Sequence, residues 1–125
     1  MTNEFMTNKE IAIKFIEVCA LKSPNIAFAE YTNSNFKHHN QYFAGDRDSL
    51  MNAMIEADKM HPNKSFAVKQ VYETGDRVAL YSHVVKEAME IAVVHMFRFE
   101  NGKISELWDV GQVIQKNSPN KNGSF

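Results

Sequence analysis

Hydrophobic positions recur every three to four residues in the first half of this chain and every second residue in the second half. In "TNKEIAIKFIEVCALKS", Ile11, Phe15, Val18 and Cys19 keep helical spacing, and Thr7 with Glu10 forms a capping box at the start. "SPNIAFAEYT" restarts a helix, with Ser23 as cap and Pro24 in the first turn, where a missing N–H costs nothing. "NFKHHNQ" then reads as extended. "GDRDSLMNAMIEADKMHP" opens on Asp caps, places Leu50, Met51, Met54 and Ile55 on one stripe and ends before Pro62. Beyond Pro62 the period becomes two. "FAVKQVYE" and "RVALYSHVVKEA" flank "TGD", and "EIAVVHMFRFE" and "KISELWDVGQVI" flank "NG", which predicts an antiparallel meander. The tail "KNSPNKNGSF" is polar and turn-rich, and taken alone predicts a loose end.

Asn-Gly between alternating runs signals a two-residue hairpin turn, because both residues tolerate positive φ. Glu100 then faces Lys103, and counting back pairs Phe99 with Ile104, Phe97 with Glu106, His95 with Trp108, Val93 with Val110 and Ile91 with Gln112, ten residues that share one face. Val94, Met96, Arg98, Ser105, Leu107 and Asp109 take the other face. Unless a bulge intervenes, Trp108 and Asp109 point opposite ways and no His95–Asp109 dyad is expected. Both faces are largely apolar, so both need cover. The helices cover one; a second copy of the sheet is the simplest cover for the other, which predicts a symmetric homodimer.

Length and composition narrow the picture. At 125 residues and 44% hydrophobic content, the chain builds one core, so a single domain is expected over 1–125, with 6–115 as its body and 116–125 as a polar tail. Fifteen acidic against 14 basic residues, without a like-charged block, argue against nucleic acid and anionic membrane as partners. No apolar run could span a bilayer, and the polar start "MTNEFMTN" lacks the layout of a secretory signal, which points to the cytoplasm. "MTN" recurs at Met1 and Met6, marking an alternative start. Cys19 cannot form an internal disulfide and reads as a small buried hydrophobe.

The face carrying His95, Trp108 and Gln112 combines apolar walls with a few polar groups, as small-molecule pockets do. A core histidine stacked on Trp108 would give the same pattern. His38 and His39 point to opposite faces if the segment is a strand, so they cannot share a metal. The place of His83 depends on the turn near Met89: a two-residue turn pairs it with Met96, a three-residue turn with His95. Tyr72, Tyr81 and Tyr42 could donate phenol hydrogen bonds to an oxyanion, and Met51, Met54 and Met60 could form a lip over a pocket.

Three helices followed by "FKHHN", "GDRVALYSHV" and "FRFENGKISELWDVGQ", in this order, resemble the SnoaL-like (polyketide-cyclase-like) branch of the nuclear-transport-factor-2-like superfamily. The likeness runs from about Phe15 to Phe125. It rests on His39-Asn40, on Gly75-Asp76 ahead of a strand bearing His83, on Phe-Arg-x-x-Asn-Gly-Lys-Ile-x-Glu-x-Trp-Asp-Val-x-Gln, and on the closing Asn-x-Asn-Gly-x-Phe. The resemblance implies an α+β fold: a cone-shaped, barrel-like curved antiparallel sheet, three N-terminal helices at its mouth, an internal ligand pocket and a dimer through the sheet. It also implies His39 rather than His38 as the inward histidine.

Relatives of this kind include isomerases and cyclases that work by general acid–base chemistry without metal or cofactor. This chain departs from their pattern in four places. His95 stands where the pattern has Asp, Leu107 where it has His before Trp-Asp, and Gln41 where it has Pro after His-Asn. Gln112 occupies the place of the cyclases' catalytic Asp, and a neutral amide cannot be a general base. The expected bases are therefore His95, His83 and His39, with Trp108, Gln112, Asn40, Phe97, Tyr81 and Met54 contacting the ligand and no metal or cofactor bound. The expected function is an isomerase, cyclase or lyase acting on a small apolar carbonyl compound, or else a non-catalytic ligand-binding dimer of the same fold.

Overall fold

A computed structural model describes residues 6–125, so the repeated "MTN" start lies partly outside the described residues. The helices form where capping and periodicity place them. Helix α1 (Asn8–Leu21) opens on the capping box: Glu10 N–H donates to Thr7 Oγ1 at 3.1 Å and Thr7 N–H to Glu10 Oε1 at 2.8 Å. Helix α2 (Pro24–Tyr31) begins at its proline, although the Ser23 side chain makes no capping bond. It runs straight into β1 (Thr32–His38), with Thr32 Oγ1 donating to the Phe28 carbonyl across the junction at 2.6 Å. Helix α3 (Arg47–Met60) is capped by Asp46, which accepts from Ser49 N–H at 3.0 Å. Of the expected stripe on α3 only Leu50 is fully buried, while Met51 and Met54 lie partly buried against the core.

Strands β2 (Asn63–Thr74), β3 (Arg77–Lys86), β4 (Glu90–Glu100) and β5 (Lys103–Val113) form the antiparallel meander. β1 adds to β5 in parallel, giving the order β1-β5-β4-β3-β2. The result is α+β with a curved five-stranded sheet, but the barrel-like closure expected from the resemblance does not occur: β1 and β2 stand at opposite edges. Three helices lie on one side. Phe15 meets Phe28 and Phe97 edge-on at centroid distances of 5.1 and 5.9 Å, and Phe28 meets Phe36 at 5.5 Å, so one aromatic chain ties α1, α2, β1 and β4 together. Cys19 is buried in the same core, and burial, with the charge of Asp58, raises its thiol well above the ordinary range, which makes it a packing group. Among the described residues, no helix is long and apolar enough to cross a membrane.

The hairpin at Asn101-Gly102 forms as expected, with φ of 51° and 77°, and it pairs Glu100 with Lys103 and Phe99 with Ile104. There the expected register ends. A bulge at Ser105 advances β5 by one residue, so that Arg98 faces Glu106, Phe97 faces Leu107, Met96 faces Trp108 and His95 faces Asp109. The tail corrects a second expectation. It returns over the outer face, where Tyr81 donates its hydroxyl to the Ser124 carbonyl at 2.6 Å and the Phe125 ring packs 5.1 Å from Tyr81 and 4.8 Å from His83. One aromatic residue at the end of a polar segment supplies the anchor that composition does not reveal.

Candidate functional site

Along β4 the side chains of Ile91, Val93, His95, Phe97 and Phe99 alternate towards the helices, and β3 presents Val78, Leu80, Ser82 and Val84 beside them. The bulge brings Leu107 and Asp109 of β5 onto this same inner face. Phe97, fully buried against Phe15, closes one end as core. Towards the other end, α1 and α3 stand off the sheet and leave two cavities, of about 220 and about 150 Å³. Ile16, Met54, Ala57 and His95 line both, so His95 sits between them.

His95 is only 9% exposed, and its Nδ1 has no hydrogen-bond partner. Burial pushes its imidazole down to about 4 from 6.5, against the smaller upward pull of the Asp109 carboxylate. The ring is therefore neutral at pH 7, with an unspent nitrogen. Asp109 lines the smaller cavity, and Asn40 holds it through Nδ2 donating to Oδ2 at 3.1 Å. The pair that the simple hairpin count separates is thus assembled: a neutral imidazole beside a positioned carboxylate, against apolar walls.

The remaining expected site residues lie elsewhere. Trp108 is on the outer face, with His39 stacked on it at 4.8 Å and 7° and the Arg77 guanidinium 5.3 Å from its ring centre. His39 Nε2 donates to Glu106 Oε2 at 2.5 Å, and Arg98 Nε donates to Glu106 Oε1 at 2.9 Å. The His39 bond foremost, against the opposing effect of burial, holds the Glu106 carboxyl below its ordinary range, helped by Arg98. The inward histidine is His38, not His39: it is 5% exposed, donates from Nε2 to the Ala44 carbonyl at 2.7 Å and accepts at Nδ1 from Asn40 N–H. His38 is thereby spent on holding the loop that presents Asn40.

His83 follows neither turn considered for it. Four residues separate Val85 from its partner Glu90, closed by Lys86 N–H to the Met89 carbonyl, and His83 consequently faces Ala92 on the outer side. Its Nε2 donates to Glu90 Oε1 at 2.7 Å. His39, His83 and His95 do not converge, and among the described residues no three His, Cys, Asp or Glu side chains gather as a metal site. Gln112 is exposed on the outer face opposite Ala92 and lines a groove under the tail, and Tyr81 is spent on Ser124. Tyr72 and Tyr42 are exposed, as is Met60. Of the residues expected at the site, the cavities bring together His95, Met54 and Asn40.

Asp109 was obscured by the bulge, yet a signal for it exists. Without the bulge Glu106 would point at the core against Phe97, an uncompensated carboxylate among aromatics; with it, Leu107 takes that place and Glu106 meets Arg98 outside.

No family model matches the chain, and no curated protein matches it in sequence. Solved structures do share its fold. IdmH of Streptomyces antibioticus, provisionally described as a polyketide cyclase, superposes with a TM-score of 0.71 at 15% identity over 85% of this chain and 92% of its own. A SnoaL-like protein of Mesorhizobium loti, provisionally a polyketide cyclase, gives 0.65 at 21% identity over 84% and 99%. A nuclear-transport-factor-2-like protein of unknown function from Cytophaga hutchinsonii gives 0.63 at 19% identity over 85% and 90%.

Proposed function

From the fold that this chain shares with SnoaL-like and nuclear-transport-factor-2-like proteins, we propose that it is a small-molecule pocket protein moving protons at carbon beside a carbonyl group, as a cofactor-independent isomerase, cyclase or lyase. One observation carries the reading: His95, whose Nδ1 is buried without a hydrogen-bond partner, lines an apolar cavity beside Asp109. The neutral imidazole of His95 accepts a proton from the carbon next to the carbonyl, the electron pair moves into the enolate, and Asp109 stabilises the imidazolium that forms. Returning the proton to another carbon isomerises the compound, whereas attack of the carbanion on a second carbonyl closes a ring. The carboxylate missing at Gln112 has a counterpart inside the cavity at Asp109.

The test is exchange of the α-protons of 2-tetralone in deuterium oxide, followed by NMR. The protein is expected to accelerate exchange above a solution of imidazole at equal concentration. A rate no higher than that control, together with measurable binding, would favour the second reading: a non-catalytic ligand-binding protein in which His95, kept neutral by burial, only hydrogen-bonds its ligand.

The outer face carries Met96, 40% exposed, and Val110, 67% exposed, next to the area that the tail covers. We propose that a second copy covers this apolar remainder. Sedimentation at micromolar concentration is expected to show a dimer, and Val110→Glu a monomer; a wild-type monomer would remove the proposal.

A further inference from the structure

The larger cavity has a polar end that the proton-transfer chemistry does not use. Strand register sets Asn63, the first residue of β2, directly beside Lys86, the last of β3, and both side chains line the cavity that reaches His95. Asn63 Nδ2 donates to the Ala20 carbonyl near the end of α1 at 3.0 Å. That bond fixes the orientation of the amide, because the flipped form would set oxygen against oxygen. Asn63 Oδ1 is then left buried with no hydrogen-bond partner, a costly condition that a ligand donor relieves. The neighbouring Lys86 Nζ donates to the His61 carbonyl at 2.6 Å, which leaves two of the three donors of an ammonium for other acceptors. Asp58 lines the same end and adds a negative charge.

These groups define what fits. A ketone oxygen accepts from Lys86 but has nothing for Asn63 Oδ1. A carboxylate also lacks a donor and would face Asp58, and an ammonium would face Lys86. A hydroxyl meets both demands, giving its proton to Asn63 and accepting from Lys86. The volume of about 220 Å³ is below the roughly 300–1,000 Å³ of pockets that take drug-sized ligands, so the body between the two ends is compact, of one or two rings.

We propose that Asn63 and Lys86 form a specificity subsite selecting compact carbonyl compounds that bear a hydroxyl group at the end remote from His95. This rests on the cavity being the binding site, as argued above. 2-Tetralone and 6-hydroxy-2-tetralone differ only by a remote hydroxyl, and calorimetric titration of each into wild type, Asn63→Leu and Lys86→Met separates the possibilities. The hydroxylated ketone is expected to bind wild type about 10-fold more tightly, the effect of a satisfied buried hydrogen bond. That preference, read as the ratio of the two affinities within each protein, is expected to vanish in both variants. Lys86→Met keeps the test open if Asn63→Leu, which also loses the bond to Ala20, fails to fold by circular dichroism.

Equal affinity of the two ketones for wild type, or a preference that survives in a folded variant, overturns the subsite while leaving the pocket intact. If neither ketone binds, the pocket reading fails and the subsite falls with it.

Discussion

Taking the protein from pH 7 to pH 4 is expected to remove roughly 3 kcal/mol of folding stability through His95 alone. Its ring titrates at about 4 in the folded protein, chiefly because burial penalises the charge, and near 6.5 when unfolded. Between those values the unfolded chain binds a proton that the folded one refuses, so stability falls as pH falls. Above the upper value neither state is protonated and the effect disappears; below the lower one it is complete. Glu106 acts in a lower window. Its depressed carboxyl contributes stability above the unfolded carboxylate value of 4.5, and that contribution is lost as pH falls through the folded value. Urea unfolding of wild type and His95→Phe at pH 7, 6, 5 and 4 separates the two, because the variant keeps Glu106 and should lose stability only at the acid end. Parallel curves for the two proteins would show that His95 does not carry the linkage.

In the tetralone exchange assay, His95→Gln is expected to lower the protein-dependent rate by about 10²–10⁴-fold, the usual contribution of a positioned general base. Glutamine keeps most of the volume and polarity but cannot take the proton. Asp109→Asn is expected to cost less, about 10-fold, because it removes only the charge that steadies the imidazolium. Binding of 2-tetralone should persist in both. The opposite order, with Asp109→Asn the more damaging, would make the carboxylate the base and His95 its positioning partner. An unchanged rate in both variants would take the chemistry away from this pair.

Local signals in this sequence specify local structure well. Thr7 with Glu10, Pro24, Asp46 and Asn101-Gly102 each satisfy a backbone demand within a few residues, and each element begins or turns where they stand. What cannot be counted from neighbours is displaced. Ser105, one residue with no partner across the ladder, moves every later side chain of β5 to the opposite face and exchanges Trp108 for Asp109 at the cavity. Ser105 itself is small, buried and uninformative as a residue type; the cue lay in the energetic conflict between Glu106 and Phe97. His83 was misplaced for a related reason, since "KEAM" allows several loop lengths and each changes its partner. The parallel pairing of β1 with β5 has no local signature, because it joins segments about seventy residues apart, Thr32 beside Ile104. The resemblance supplied the arrangement of helices and sheet. It implies His39 as the inward histidine, whereas that ring stacks on Trp108 at the outer face.

That same β1–β5 pairing bears on how the chain is made. Synthesis delivers Phe15, Phe28 and Phe36 early, but Phe97 and Leu107, which complete their enclosure, follow about sixty residues or more after Phe36. Translation adds about 5–20 residues per second, so a growing chain displays its aromatic residues for several seconds before their cover exists. The edge of β1 has no partner in the nascent chain until Ile104 to Leu107 have left the ribosome. Slow codons between the two segments would lengthen that exposure, and holding chaperones would be needed most while the ribosome is partway along the message.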